Sequence, residues 1–78
     1  MNKKIIKIVS DVANCNVDEI NELTNLCDID YMDSLDHVEI FIKIEKEFGI
    51  LIPDDHCDKL SNMTIQEIAE YVQAKISV

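Results

Sequence analysis

Gly49 and Pro53 are the only glycine and the only proline in this chain of 78 residues. Tight hairpins and long irregular loops depend on those two residue types, so a chain this poor in them is steered towards helices. The apolar residues agree. Ile5, Ile6, Val9, Val12 and Ala13 recur at helical spacing and predict a first helix from about Lys3 to Ala13. A second helix is predicted from Asp33 or Ser34 to Phe48, with Asp33 as N-cap, Asp36 complementing the dipole in the first turn, and Gly49 as the stop. Glu39 and Lys43 are spaced for a favourable pair on its surface. Pro53 blocks continuation, and Asp54 to Leu60 reads as a short third helix. Thr64-Ile65-Gln66-Glu67 is a capping box that opens a last helix to about Lys75, with Ile65, Ile68, Ala69, Val72 and Ile76 on one face. The long connection from Asn14 to Asp33 carries Val17, Ile20, Leu23 and Leu26 at intervals of three, a pattern expected to pin it to the core. The expected fold is all-α: one domain over residues 1–78, a small bundle of three main helices plus one short one. A domain of this size buries only about 60–65% of its unfolded surface and has no room for both a core and a large catalytic cavity.

Charge narrows the function. The chain carries sixteen acids, seven lysines and no arginine, for a net charge of −9. All of that excess lies in residues 21–58, which hold eleven acids against Lys43 and Lys46. Such a chain does not bind nucleic acid or anionic membranes non-specifically, and it is steered towards basic protein surfaces. Lys7 and Asp11 interrupt the apolar run at the N-terminus too early for a signal peptide, and no stretch is long enough to span a membrane. Cys15, Cys27 and Cys57 are odd in number and widely spaced, which argues against a disulfide framework or a zinc site. They read as reduced packing residues in a cytoplasmic protein.

The second helix is apolar over more than half its circumference. On a helical wheel Ile40, Phe41, Ile44 and Phe48 form one cluster, and Leu35, Val38 and Ile42 form a second beside it. One packing face needs less than this. The second cluster is therefore expected to stay exposed beside Ser34, rimmed by Asp33, Asp36 and Glu39, as a surface where charge steers a partner and apolar contact holds it. Ser34 itself has no histidine–carboxylate pair placed to activate it. His37 follows three positions later without an orienting carboxylate, so a catalytic role is not assigned to it. A serine in this setting reads as a site of modification, not as a nucleophile acting on substrate. His56 is expected at the surface, Tyr71 at the rim of the core, and Met32 over the loop or near the modified serine.

Asp28, Asp30, Asp36 and Glu39 imitate the first, third, ninth and twelfth positions of a calcium-binding EF-hand loop, with Leu35 at the eighth. The fifth position is Met32, which is no ligand. The sixth is Asp33, where the turn needs glycine. No metal site is expected.

The run Asp33-Ser34-Leu35-Asp36, then Val38-Glu39-Ile40, Ile44-Glu45-Lys46-Glu47-Phe48-Gly49-Ile50 and Ile52-Pro53-Asp54-Asp55, resembles the acyl carrier proteins from about Asp28 onward. The resemblance implies a 4′-phosphopantetheine arm, drawn from coenzyme A and esterified to Ser34, on which acyl intermediates ride as thioesters. It implies a non-catalytic monomer whose partners are a phosphopantetheinyl transferase and acyl-transfer and chain-elongation enzymes with basic docking surfaces. Asp33, Leu35, Asp36, Val38, Glu39 and Ile42 would face them. Ile40, Phe41, Ile44, Phe48, Ile68 and Val72 would line the shelter for the acyl chain. The chain departs from the family pattern at Asp30, Tyr31 and Met32, which implies a local shift of the loop, and at Lys43 and Lys46, which dilute the acidity of the helix. A specialised pathway is as compatible as housekeeping fatty-acid synthesis. The alternatives are a peptidyl or D-alanyl carrier, or an acidic helical interaction module with no prosthetic group.

Overall fold

A computed structural model describes residues 1–29 and 32–76. Four α-helices follow in order: α1 (Asn2–Ala13), α2 (Ser34–Phe48), α3 (Asp54–Ser61) and α4 (Ile65–Ile76). Each boundary lies within about a residue of its sequence expectation, because each has a local chemical cause. α1 ends where Asn14 turns left-handed (φ 57°) and its N–H reaches back to the Ser10 carbonyl. Asparagine is among the few residues that tolerate this region. α2 ends at Gly49 (φ 66°), whose N–H donates to the Glu45 carbonyl. Its side chain then turns back, and Glu45 Oε2 accepts from the Ile52 N–H at 2.8 Å, fixing the strand-like exit towards Pro53. α4 opens on the expected capping box: Glu67 N–H donates to Thr64 Oγ1 at 3.2 Å, and Thr64 N–H to Glu67 Oε1 at 3.0 Å.

The helices share one core. Ile5 and Val9 of α1, Ile40 and Ile44 of α2, Leu60 of α3, and Ile65 and Val72 of α4 are fully buried. α1 packs on both α2 and α4, and α3 lies against α2. Ser10 is the buried polar residue in α1. Its hydroxyl donates to the Lys7 carbonyl at 2.9 Å, which removes the cost of an orphaned group.

The long connection is pinned at only two of the four expected positions. Ile20 and Leu26 are buried, but Val17 is 45% exposed and Leu23 80% exposed. The threefold spacing misleads because the segment is not one helix. It contains two single 3-10 turns, Val17–Glu19 and Leu26–Asp28, separated by a tight turn. In that turn Asn21 Oδ1 accepts from Leu23 N–H at 2.8 Å and Thr24 Oγ1 accepts from Asn21 N–H at 3.0 Å. Leu23 sits at its tip and projects outward.

This connection closes onto the start of α4. Glu22 and Thr24 carbonyls accept from the Gln66 and Ile65 N–H groups, both at 2.9 Å, and Leu26 N–H donates to the Met63 carbonyl at 3.2 Å. Helix N-termini leave their first N–H groups without intrahelical partners. Here the loop backbone supplies them. Ile29 and Met32 are partly buried against the core, and Met32 N–H donates to the Ile29 carbonyl. The loop shift expected at Asp30 and Tyr31 lies outside the described residues.

Candidate functional site

The site is built on the first turn of α2. Asp33 and Asp36 cap it reciprocally: Asp36 N–H donates to Asp33 Oδ1 at 3.0 Å, and Asp33 N–H to Asp36 Oδ2 at 3.2 Å. Sequence reading placed Asp36 in the helix dipole but missed that it closes this box. The signal was present, since Asp33 and Asp36 stand three apart, but the usual pattern has Glu or Gln at the second position. Both carboxylates thus have a structural task besides any contact with a partner.

Ser34, the first residue of α2, is held between them. It is exposed, and its hydroxyl has no hydrogen-bond partner among the described residues. His37 turns away from it: its Nδ1 shares a hydrogen bond of 3.1 Å with Ser61 Oγ at the end of α3. That bond ties α3 to α2. A serine presented this way is accessible to an external enzyme and has no base among the described residues to make it attack.

Downstream on α2 the two apolar clusters separate as the wheel suggests. Ile40, Phe41 and Ile44 are buried and Phe48 is half-buried, packed with Ile68 and Val72 of α4 in the same core. Leu35 is 76% exposed, and Val38 and Ile42 are each 44% exposed. With Glu39 these three line a shallow groove that runs along the helix from the Ser34 end.

Three expectations need correction. Glu39 and Lys43 do not pair: the ion pairs among the described residues are Lys7–Asp11 at 3.0 Å and Lys4–Glu47 at 3.9 Å. Both are solvent-exposed pairs of little energetic weight. His56 is not a free surface residue. It is half-buried, its Nδ1 lies 2.8 Å from the Tyr71 hydroxyl, and the two rings meet edge to face. This contact joins α3 to α4 across fifteen residues of sequence, and no local pattern announces it. Cys27 is exposed instead of packed, with Sγ 2.8 Å from the Ser61 carbonyl. Cys15 and Cys57 do pack against the core, and Tyr71 rests at its rim. Burial raises the Cys57 thiol above its ordinary pKa, and Asp54, Glu45, Asp58 and Asp55 raise it further. Of the calcium-loop imitation, Asp30 lies outside the described residues, and the Asp36 carboxylate is engaged in the capping box.

Comparison with known proteins identifies the family. The family described as a phosphopantetheine attachment site matches residues 3–72. The acyl carrier protein of Buchnera aphidicola subsp. Schizaphis graminum is 40% identical over 73 residues, covering 94% of this chain and 90% of that protein. The acyl carrier protein of Rickettsia bellii (strain RML369-C) is 31% identical, covering 91% of this chain and 80% of that protein. That of Thermosynechococcus vestitus is 29% identical, covering 96% and 90%. The chain belongs to the phosphopantetheine-binding acyl carrier protein family. Its function is that of a carrier for acyl groups, and its cofactor is 4′-phosphopantetheine. Members of the family work with a phosphopantetheinyl transferase and with biosynthetic enzymes.

The residues present fit the group. An exposed hydroxyl with no hydrogen-bond partner among the described residues opens a helix, and the N–H groups of the first helical turn, at Ser34 and Leu35, are the donors that would hold a phosphate ester there. When attached, the arm supplies a terminal thiol that carries acyl groups as thioesters.

Proposed function

We propose that Ser34 is the attachment point, and that the face of α2 carrying Leu35, Val38 and Ile42, with Asp33, Asp36 and Glu39, receives the enzymes that load, extend and unload the arm. The observation that carries the reading is the exposed Ser34 hydroxyl, with no partner and no base beside it among the described residues, at the head of an apolar strip that remains exposed. In the modification the Ser34 oxygen attacks the pantetheine-bearing phosphorus of coenzyme A. A new O–P bond forms, adenosine 3′,5′-bisphosphate leaves, and the transferase accepts the hydroxyl proton. The protein does no catalysis itself; it is the substrate of its partners.

The acyl chain shelters among Ile40, Phe41, Ile44, Phe48, Ile68 and Val72, which already form one apolar cluster between α2 and α4. The carrier acts as a cytoplasmic monomer with residues 1–78 as one carrier domain, in fatty-acid or polyketide-type synthesis. The free thiols of Cys15, Cys27 and Cys57 fit a reducing compartment, and no helix among the described residues is long and apolar enough to cross a membrane. Intact mass after incubation with a transferase and coenzyme A tests the attachment. The wild type should gain one phosphopantetheine and Ser34→Ala none. A gain that persists in Ser34→Ala would move the site elsewhere.

A further inference from the structure

The exposed face of α2 has a charge direction. Near Ser34 it is acidic, with Asp33, Asp36 and Glu39. Two turns on, two more acids follow in the sequence, but neither lines the groove of Leu35, Val38 and Ile42. Glu45 is folded back onto the Ile52 N–H at 2.8 Å, and Glu47 is drawn to Lys4 of α1 at 3.9 Å. What remains is Lys43 and Lys46. Both are exposed, and neither is ion-paired among the described residues. Both line the groove of Leu35, Val38 and Ile42; both also line an adjoining groove against α1, where Ile8 is partly exposed and where Asp11 and Glu47 stand, each paired with a lysine of α1. From Glu39 to Lys46 is roughly 10 Å along the helix axis. The apolar strip therefore runs from an acidic end at Ser34 to a basic end.

We infer that Lys43 and Lys46 are specificity-determining residues, and that the surface fits a protein partner of opposite polarity. Such a partner is basic where it faces Ser34, apolar in the middle, and carries one or two carboxylates where it meets Lys43 and Lys46. A uniformly basic partner is repelled at the far end, so this carrier discriminates against it by charge rather than by shape. The two lysines also set orientation. An enzyme turned end for end meets like charge at both poles, and only one sense of docking brings its active site to Ser34. This inference rests on the reading that α2 is the docking face.

The test uses the full chain in its holo, acyl-loaded form and the condensing enzyme of the same cell. The sign of the effect separates two ideas. If acidity alone attracted partners, Lys43→Glu with Lys46→Glu would raise kcat/KM. If the surface is bipolar, the double variant should lower kcat/KM roughly 5- to 30-fold through KM, an effect that shrinks as salt rises. Lys43→Gln with Lys46→Gln should fall between it and the wild type. The circular dichroism spectrum should not change in either variant, since neither lysine holds the fold together. Recovery of the rate on reversing a facing carboxylate of the enzyme to lysine confirms the contact. A double variant equal to or faster than wild type, while Glu39→Lys and Ile42→Ala remain slow, overturns the bipolar surface and leaves docking on α2 intact. No loss in Glu39→Lys or Ile42→Ala overturns docking on α2 and this inference with it.

Discussion

Ile42 and Ile44 stand two residues apart on α2, carry the same side chain and have opposite surroundings, which makes them a matched pair. Ile44 is fully buried, and Ile42 is 44% exposed. Truncating a fully buried isoleucine to alanine removes its transfer free energy and leaves a cavity, at a cost of about 2–5 kcal/mol. A chain of this length has a total stability of roughly 4–12 kcal/mol at about 0.05–0.15 kcal/mol per residue, so Ile44→Ala removes a large share of it. Ile42 has only about half its side chain out of water, worth about 1 kcal/mol, and no enclosed cavity opens where solvent already reaches. Alanine's better helix propensity offsets a few tenths of that. The net cost expected for Ile42→Ala is therefore about 0.5–1 kcal/mol, a melting-temperature drop of about 2–8 °C for a domain of this size. Urea unfolding followed by circular dichroism measures both, and the rate of phosphopantetheine transfer measures docking. Ile42→Ala should slow transfer with only that small shift in midpoint, and Ile44→Ala should lower the midpoint far more while slowing transfer less. Equal destabilisation by the two would place Ile42 in the core and remove the exposed strip on which docking depends.

Glu39→Lys should slow association with the transferase and leave stability nearly unchanged, because the side chain is exposed and unpaired; stopped-flow kinetics at low and high salt distinguish this. Asp36→Lys should slow association too, but it also breaks the capping box, so a loss of about 0.5–2 kcal/mol should appear in the same protein by denaturant titration. Tyr71→Phe removes the hydroxyl that partners His56 and should cost about 0.5–1.5 kcal/mol; no change in midpoint would mean the contact carries no weight. Burial and four nearby carboxylates hold the Cys57 thiol above its ordinary pKa, so at a given pH it has less thiolate than a free cysteine. Its alkylation, followed by mass spectrometry, should rise only at higher pH than that of a model thiol, and a reactive Cys57 at neutral pH would contradict the environment described.

The helices were legible in the sequence because their ends are local chemistry. Asp33, Gly49, Pro53 and Thr64 each act within a few residues of where they stand, and the division of α2 into a buried and an exposed apolar cluster follows from its period alone. The connection between α1 and α2 was less legible. Its threefold spacing suggested that all four apolar residues reach the core, but Val17 and Leu23 point outward because the Glu19 carboxylate on Asn16 N–H and the Asn21 and Asn25 side chains on N–H groups two residues on break the segment into separate turns. Long-range polar contacts were not legible at all. His37 with Ser61 and His56 with Tyr71 depend on how α3 is laid against its neighbours. The same limit hid the two ends of α2: composition counts Glu45 and Glu47 alike as surface charge, and only tertiary structure shows that neither lines the groove of Leu35, Val38 and Ile42.

The seam between residues 22–26 and 63–66 has a kinetic consequence. Most contacts within the four helices can form early, between near neighbours in sequence. The first turn of α4 cannot be completed that way, because the acceptors for Ile65 and Gln66 N–H lie some forty residues upstream on Thr24 and Glu22. Closing so long a loop is entropically slow, and contacts of this separation set folding rates. The arrival of this loop at α4, which also brings Leu26 into the core, is thus expected to be a late event in folding. Native-state hydrogen exchange should find the Leu26, Ile65 and Gln66 amides opening together, as one unit that bridges the two halves of the chain.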